Sequence, residues 1–189
     1  MNDPKLVIGF VGQICSGKGE ADKYLGEKYG FVSFSLSDQI REEIKHRGLE
    51  ITRERLAQTG GELREKFGSE ILAKRAWDKI QDQNLEKAII DGARSLGEME
   101  YLQKFPNFHL IAIEADQKIR FERLKQRVIA GQTEPATWET FLEAERNDSE
   151  KFGMNVEKVM EKAEIHIKNE GTQEEFHQKL DEVVTKLTT

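Results

Sequence analysis

Seven residues near the start of the chain, Gly12-Gln13-Ile14-Cys15-Ser16-Gly17-Lys18, have the types and spacing to hold an anion. Two glycines free the backbone to turn several N–H groups inward around one oxygen-rich group. Lys18 adds a point charge suited to the outer phosphates of a nucleotide. The segment follows the apolar run Leu6–Val11 and leads into a helical pattern, Glu20–Tyr29. The positive end of that helix then faces the same anion. Spacing and context together are those of the phosphate-binding P-loop, G-x-x-x-x-G-K between a strand and a helix. One departure matters. The residue after the lysine commonly supplies a hydroxyl to Mg²⁺, and here it is Gly19, followed by Glu20. The metal must then rest on water, phosphate and another carboxylate, the Ser16 hydroxyl being the weaker local candidate. Cys15 reads as a small filler of the loop.

Further along, Ile89-Ile90-Asp91-Gly92 closes an apolar run with an acid. An acid at the end of a hydrophobic strand in a P-loop protein orients Mg²⁺ through water. Ser35-x-x-Asp38-x-x-Arg41 opens a helical stretch, and Arg94 follows the Asp-Gly turn. A guanidinium fork suits a phosphate bidentately. Arg120, Arg123 and Arg127 recur at helical spacing along one face. Arg120 reads as part of an exposed charged face, for which Glu114, Asp116 and Glu122 are candidate partners. Arg123 and Arg127 read as functional candidates on that face. Arg64 and Lys66 are candidates to line an acceptor site. Trp77 and Phe67 read as core, and His109 and His166 as structural histidines within strands.

These residues need a scaffold. The runs Leu6–Val11, Phe31–Leu36, Ala88–Ile90 and Phe108–Ala115, with the weaker Ile165-His166-Ile167, read as strands buried on both faces. Helical patterns at Ser37–Arg47, Asp116–Ile129 and Gln173–Leu187 follow three of them. Alternation of this kind predicts an α/β domain with a parallel sheet. Residues 48–84 are helical in pattern, with expected breaks at Gly60-Gly61 and Gly68. Thr137–Phe152 reads as a charged helix capped by Thr137.

Composition narrows the classes. The chain has 189 residues, 37% hydrophobic and 34% charged, with a net charge of −6. That balance argues against a nucleic-acid binder with a broad basic face. Cys15 is the only cysteine, so no intrachain disulfide and no thiolate zinc site can form. No apolar stretch reaches the ~18 residues of a membrane span, and no secretory signal pattern is read. The expectation is one cytoplasmic domain over residues 1–189 without membrane or nucleic-acid partners, homo-oligomerisation being left open.

The motifs GQICSGKGE, SLSDQIREE, LREKFG, IIDGARSLGE, IRFERLKQR, TWETFLEAERNDSEKFG and IKNEGTQEE occur in that order. In this the chain resembles the nucleotide kinase group of P-loop proteins, which includes adenylate kinases and dephospho-CoA kinases. Its nearest likeness there is an archaeal-type family of small adenylate-kinase-related proteins. The resemblance implies a three-layer P-loop fold, its five-stranded parallel sheet ordered 2-3-1-4-5. It also implies a helical acceptor-binding insertion at 38–84 and a short lid at 128–155. ATP would bind at Gly12, Gln13, Ile14, Cys15, Ser16, Gly17, Lys18, Gly19 and Glu20. Asn169 and Gly171, in Asn169-Glu170-Gly171-Thr172, would lie beside the base, with Thr172 also capping a helix. Asp38, Arg41, Arg64 and Arg94 would meet the acceptor. Lys18, Arg123, Arg127, Asp38 and Arg146 would serve catalysis, and Asp91, with Asp38 as a second candidate, would hold Mg²⁺. The implied reaction is phosphoryl transfer from ATP-Mg²⁺ to a small nucleotide, foremost a nucleoside or deoxynucleoside monophosphate. Dephospho-CoA is the alternative acceptor, and an ATPase switch without an acceptor is the alternative of another class.

Overall fold

The computed structural model describes residues 3–130, 137–150 and 155–188. The strands are β1 (Leu6–Val11), β2 (Val32–Ser35), β3 (Lys87–Asp91), β4 (Phe108–Glu114) and β5 (Ile165–Lys168). They form one parallel sheet in the order β2-β3-β1-β4-β5, the order expected. All six residues of the central β1 are buried, which is why it reads as a continuous apolar run. Alternate residues serve opposite layers. Ile8, Phe10, Ile89, Ile111 and Ile113 face α1 (Lys18–Tyr29) and α9 (Gln173–Thr188). Val7, Ala88, Ile90, Leu110 and Ala112 face the other layer. That layer holds α2 (Leu36–His46), α3 (Arg53–Phe67), α4 (Ile71–Asp82), α5 (Leu96–Leu102) and α8 (Val156–Met160).

The insertion differs from expectation at two points, a helix break and the place of Phe67. α3 runs unbroken through Gly60-Gly61. A side chain at Gly60 would meet Ile40 Cδ1 at 3.0 Å, so this glycine serves close packing of α3 on α2 rather than a break. Gly68, with φ of 101°, does end the helix. Trp77 is in the core as read, but Phe67 is 50% exposed at the end of α3. Helices α5 and α8 lie in stretches for which no element was expected. α5 starts from a complete capping box between Ser95 and Glu98, an S-x-x-E signal present in the sequence.

Beside the loop between β1 and α1, α6 (Gln117–Ile129) and α7 (Trp138–Glu150) pack through Leu124 and Phe141 onto Cys15. Thr137 caps α7 as expected, with Thr140 N donating to its Oγ1 at 3.3 Å. Residues 131–136 and 151–154 of the expected lid lie outside the described residues. Among the described residues no helix is long and apolar enough to cross a membrane. The two strand histidines lie within hydrogen-bond distance of carboxylates, His109 of Glu164 and His166 of Glu114.

Candidate phosphate-binding site

The loop Gly12–Gly17 joins β1 to α1 at the carboxyl end of the sheet, the edge where open α/β folds bind ligands. Gly17 sits at φ 118° and Cys15 at φ 59°, left-handed turns that coil the backbone. Ser16 N donates to Gln13 O at 3.2 Å and closes a tight turn. The carbonyls of the second half of the loop are held from outside. Arg120 donates to Ile14 O at 3.2 Å. Arg123 donates to Cys15 O at 3.4 Å and Ser16 O at 3.2 Å. The Asn169 amide donates to Ser16 O at 2.8 Å. In a trans peptide the next N–H points the opposite way from the carbonyl. The N–H groups of Cys15 and Gly17 are thus turned from these donors, and among the described residues neither has a backbone acceptor. That is the arrangement an anion completes.

Lys18 folds back over the mouth, its Nζ 2.6 Å from Gly12 O and 3.3 Å from Gln13 O. Ser16 is fully buried, and its Oγ lies beneath the loop against Gly12. Among the described residues that hydroxyl has no hydrogen-bond partner. Glu20 is turned to α9, where His177 Nε2 lies 2.8 Å from its carboxylate. At Gly19, by contrast, no atom comes within 4 Å of where a side chain would begin.

Asp91 ends β3 opposite Ser35 of β2 and Phe10 of β1. Its Oδ1 is buried and has no hydrogen-bond partner among the described residues. An orphaned carboxylate oxygen beside a phosphate loop is the donor chemistry a hydrated Mg²⁺ takes. The residues present therefore fit that ion. Asp22, four residues after Lys18, was missed from sequence. Its Oδ2 accepts from Ser33 at 2.7 Å, while Oδ1 is buried and unpartnered. Burial pushes its carboxyl above the usual range; the Ser33 bond pulls it down and the Asp91 charge adds to the rise. An acid one helical turn past the loop lysine was the available signal.

The arginines part ways. Arg120, read as an exposed residue, is 2% exposed; its Nε donates to Ala115 O at 3.0 Å and it is ion-paired with Glu145 of α7. The acids once assigned to the arginine face are engaged elsewhere: Glu114 with His166, Asp116 as the cap of α6, Glu122 with Lys125. Arg123 also donates to Asn169 O at 2.8 Å, joining the loop to the β5–α9 connection. Burial, aided by the like charge of Arg127, holds its guanidinium below the usual arginine range. Arg127 and Arg146 are exposed. Arg41 is held by Asp38 at 2.7 Å and by the Ser37 hydroxyl at 2.8 Å. Arg64 lies 2.8 Å from the fully buried Glu98. Glu98 also accepts from Arg94 N at 2.9 Å and Ser95 N at 3.2 Å. Asn155 N donates to Arg94 O at 2.7 Å, so the loop after Asp91 is fixed from two sides. Thr172 caps α9 reciprocally with Glu175, and Gly171 is exposed beside it.

Residues 11–141 match the family described as AAA domain. A UPF0200 protein of Methanocaldococcus jannaschii is 34% identical over 96% of this chain and 90% of its own length. Among solved structures, shikimate kinase of Aquifex aeolicus shares the fold with a TM-score of 0.51 at 17% identity, covering 96% of this chain and 97% of that one. A gluconokinase of Sinorhizobium meliloti does so with a TM-score of 0.53 at 12% identity, covering 100% and 98%. At such identities the likeness extends to the P-loop kinase fold.

Proposed function

We propose that this chain, which belongs to the AAA domain family and to the UPF0200 proteins, transfers a phosphoryl group from ATP to a small nucleotide acceptor. The observation that carries the reading is the loop itself. Among the described residues its Cys15 and Gly17 amides have no backbone acceptor, and the orphaned Asp91 oxygen lies at the same sheet edge.

In this reading the loop amides and Lys18 hold the donor phosphates, for which Lys18 leaves Gly12 O. Arg123 fixes the loop and the Asn169 connection beside the base. Arg127, one turn further along α6, screens the charge that develops on the transferred group, and Arg146 of α7 joins it. Asp91 would hold Mg²⁺ through water, and the ion would supply charge neutralisation at the phosphates. In this reading Arg41 and Arg94 exchange their present partners for the acceptor, while Arg64 stays with the fully buried Glu98. Two guanidinium groups suit an acceptor that brings its own phosphate, so a nucleoside or deoxynucleoside monophosphate leads. A monophosphate oxygen is already ionised and needs no base. A ribose hydroxyl, as in dephospho-CoA, benefits from one. Asp38 is bonded to Arg41, the residue this reading assigns to the acceptor phosphate.

The test is ADP release from ATP-Mg²⁺ against a panel of ribo- and deoxynucleoside monophosphates and dephospho-CoA, with Lys18→Ala as control. Lys18-dependent turnover raised by one acceptor supports the kinase reading. Hydrolysis indifferent to every acceptor sinks it in favour of an ATPase switch. Should dephospho-CoA be the acceptor, Asp38→Asn should lower kcat by roughly 10²–10⁴. A modest loss removes the base role.

A further inference from the structure

Arg120 binds three separate parts of the molecule at once. Its Nε donates to Ala115 O at the end of β4 and its Nη1 to Ile14 O of the phosphate loop. Nη1 also pairs with Glu145 of α7, and the guanidinium lies 5.6 Å from the Phe141 ring centre of the same helix. The pair is enclosed: side-chain exposure is 3% for Arg120 and 13% for Glu145. Gln117 Nε2 donates to the second Glu145 oxygen at 2.6 Å, so both carboxylate oxygens are held. Around the pair, Phe141, Leu124 and Cys15 form a small apolar cluster, with Ile14, Phe121, Trp138 and Leu142 against it. Through Phe141, α7 is thus the roof over Cys15, which is 7% exposed.

Two consequences follow from the chemistry. A guanidinium buried at this depth stays in place only while its counter-charge does, because an unpaired buried cation is strongly disfavoured. And the Ile14 carbonyl that Arg120 holds outward fixes the direction of the Cys15 N–H on the same peptide plane. We propose that Arg120 is a positioning residue which, through Glu145, couples the seating of α7 to the anion-binding shape of the phosphate loop. With α7 seated, the Ile14 peptide is locked and the Cys15 amide faces the anion. With α7 released, Arg120 loses its partner, the peptide is free to rotate and the loop binds phosphate poorly. The same seating fixes the path of Arg146, the next residue after Glu145. The inference deepens the nucleotide-binding reading of the site and its coupling half rests on it.

Cys15 is the only cysteine and lies beneath α7, so its reaction with a thiol-specific disulfide reagent reports whether the helix is seated, without any nucleotide. The isosteric Glu145→Gln should raise that rate at least tenfold while far-ultraviolet circular dichroism stays unchanged. It should also weaken calorimetric binding of a non-hydrolysable ATP analogue about tenfold. Arg120→Lys, which keeps the charge but cannot span the three acceptors, should do the same, and Glu145→Asp should restore part of both. If Arg120→Lys does not fold, the Glu145 variants carry the test. An unchanged thiol rate in Glu145→Gln overturns the latch. A faster thiol rate with unchanged analogue affinity overturns the coupling and leaves the pair a structural contact only. A wild-type chain that binds no nucleotide at all overturns the reading of the site and the coupling with it, and is told apart from failure of the latch by the thiol rate.

Discussion

The ammonium of Lys18 lies 2.6 Å from the carbonyl oxygen of Gly12, the first residue of the loop whose last residue it follows. The lysine therefore closes the mouth it is expected to serve. An arriving phosphate replaces a neutral acceptor with a charged one, and charge-assisted bonds are roughly twice as strong. Lys18→Ala should lower kcat/KM by at least about 10², the scale of losing one donor to transferred charge. It should move the melting temperature by only a few degrees, since Ser16 N still closes the turn on Gln13. Paired melting curves and steady-state rates check this. A collapse of stability would make Lys18 a structural staple of the loop.

Gly19 leaves open space beside Lys18, where P-loop proteins commonly place a metal-holding hydroxyl. Gly19→Ser should fit without displacing a neighbour and should place that hydroxyl near the phosphates. The Mg²⁺ concentration for half-maximal turnover should then fall by on the order of tenfold, the scale of single changes around a metal. An unchanged requirement would place the ion on Asp91 alone, out of reach of residue 19.

Gly17 is needed where it stands. Its φ is 118°, and a β-carbon there would fall well inside contact distance of the Asn169 amide nitrogen. Gly17→Ala should cost about 1–3 kcal/mol for the strained backbone, seen as a melting temperature lower by roughly 3–10 °C. It should also break the Asn169 bond to Ser16 O. Because the two residues collide, the Gly17→Ala, Asn169→Ala double variant should be less unstable than the sum of the singles. Additive losses would exclude the collision.

The central strands were legible because buried parallel strands leave continuous apolar runs, their order only through the family resemblance, and the phosphate loop because its residue types are dictated by backbone geometry. Gly60-Gly61 misled because a glycine that breaks a helix and one that lets two helices touch look alike without the partner, here Ile40. Arg120 misled for a related reason. Its i, i+3 neighbours are polar, but burial is set by α7, far along the chain. Asp22 and Glu98 were missed because a buried acid differs from a surface acid only in what surrounds it.

Glu98 is the buried charge on which the loop after Asp91 depends. It is fully enclosed, and Arg64 is its only cationic partner among the described ion pairs. Arg64→Ala would strand the carboxylate and should cost about 3–5 kcal/mol. Glu98→Gln should cost less, since an amide oxygen can still accept from Arg94 N and Ser95 N. Denaturant titration of both variants checks the order. If Arg64→Ala instead weakens only acceptor binding, the arginine belongs to the acceptor site after all.

Asp181 ties α9 to α1, and through α1 to the loop. It accepts from Tyr24 at 2.9 Å, Tyr29 at 2.7 Å and Lys28 at 2.7 Å. Burial alone would raise its carboxyl, but the bonds from Lys28, Tyr29 and Tyr24 outweigh it and hold the group below the usual aspartate range. A carboxyl lowered on folding contributes stability above its unfolded value, and loses that contribution as pH falls through the folded one. Asp181→Asn should therefore melt below the wild type at pH 7 by roughly 2–6 °C, for about 1–2 kcal/mol of charged hydrogen bonding. The gap should close as pH drops below about 4, where the unfolded aspartate takes up its proton. An equal gap at pH 3 and pH 7 would show that shape, not charge, makes the junction. A closing gap makes the α1–α9 contact a part of the phosphate-loop scaffold that acid loosens.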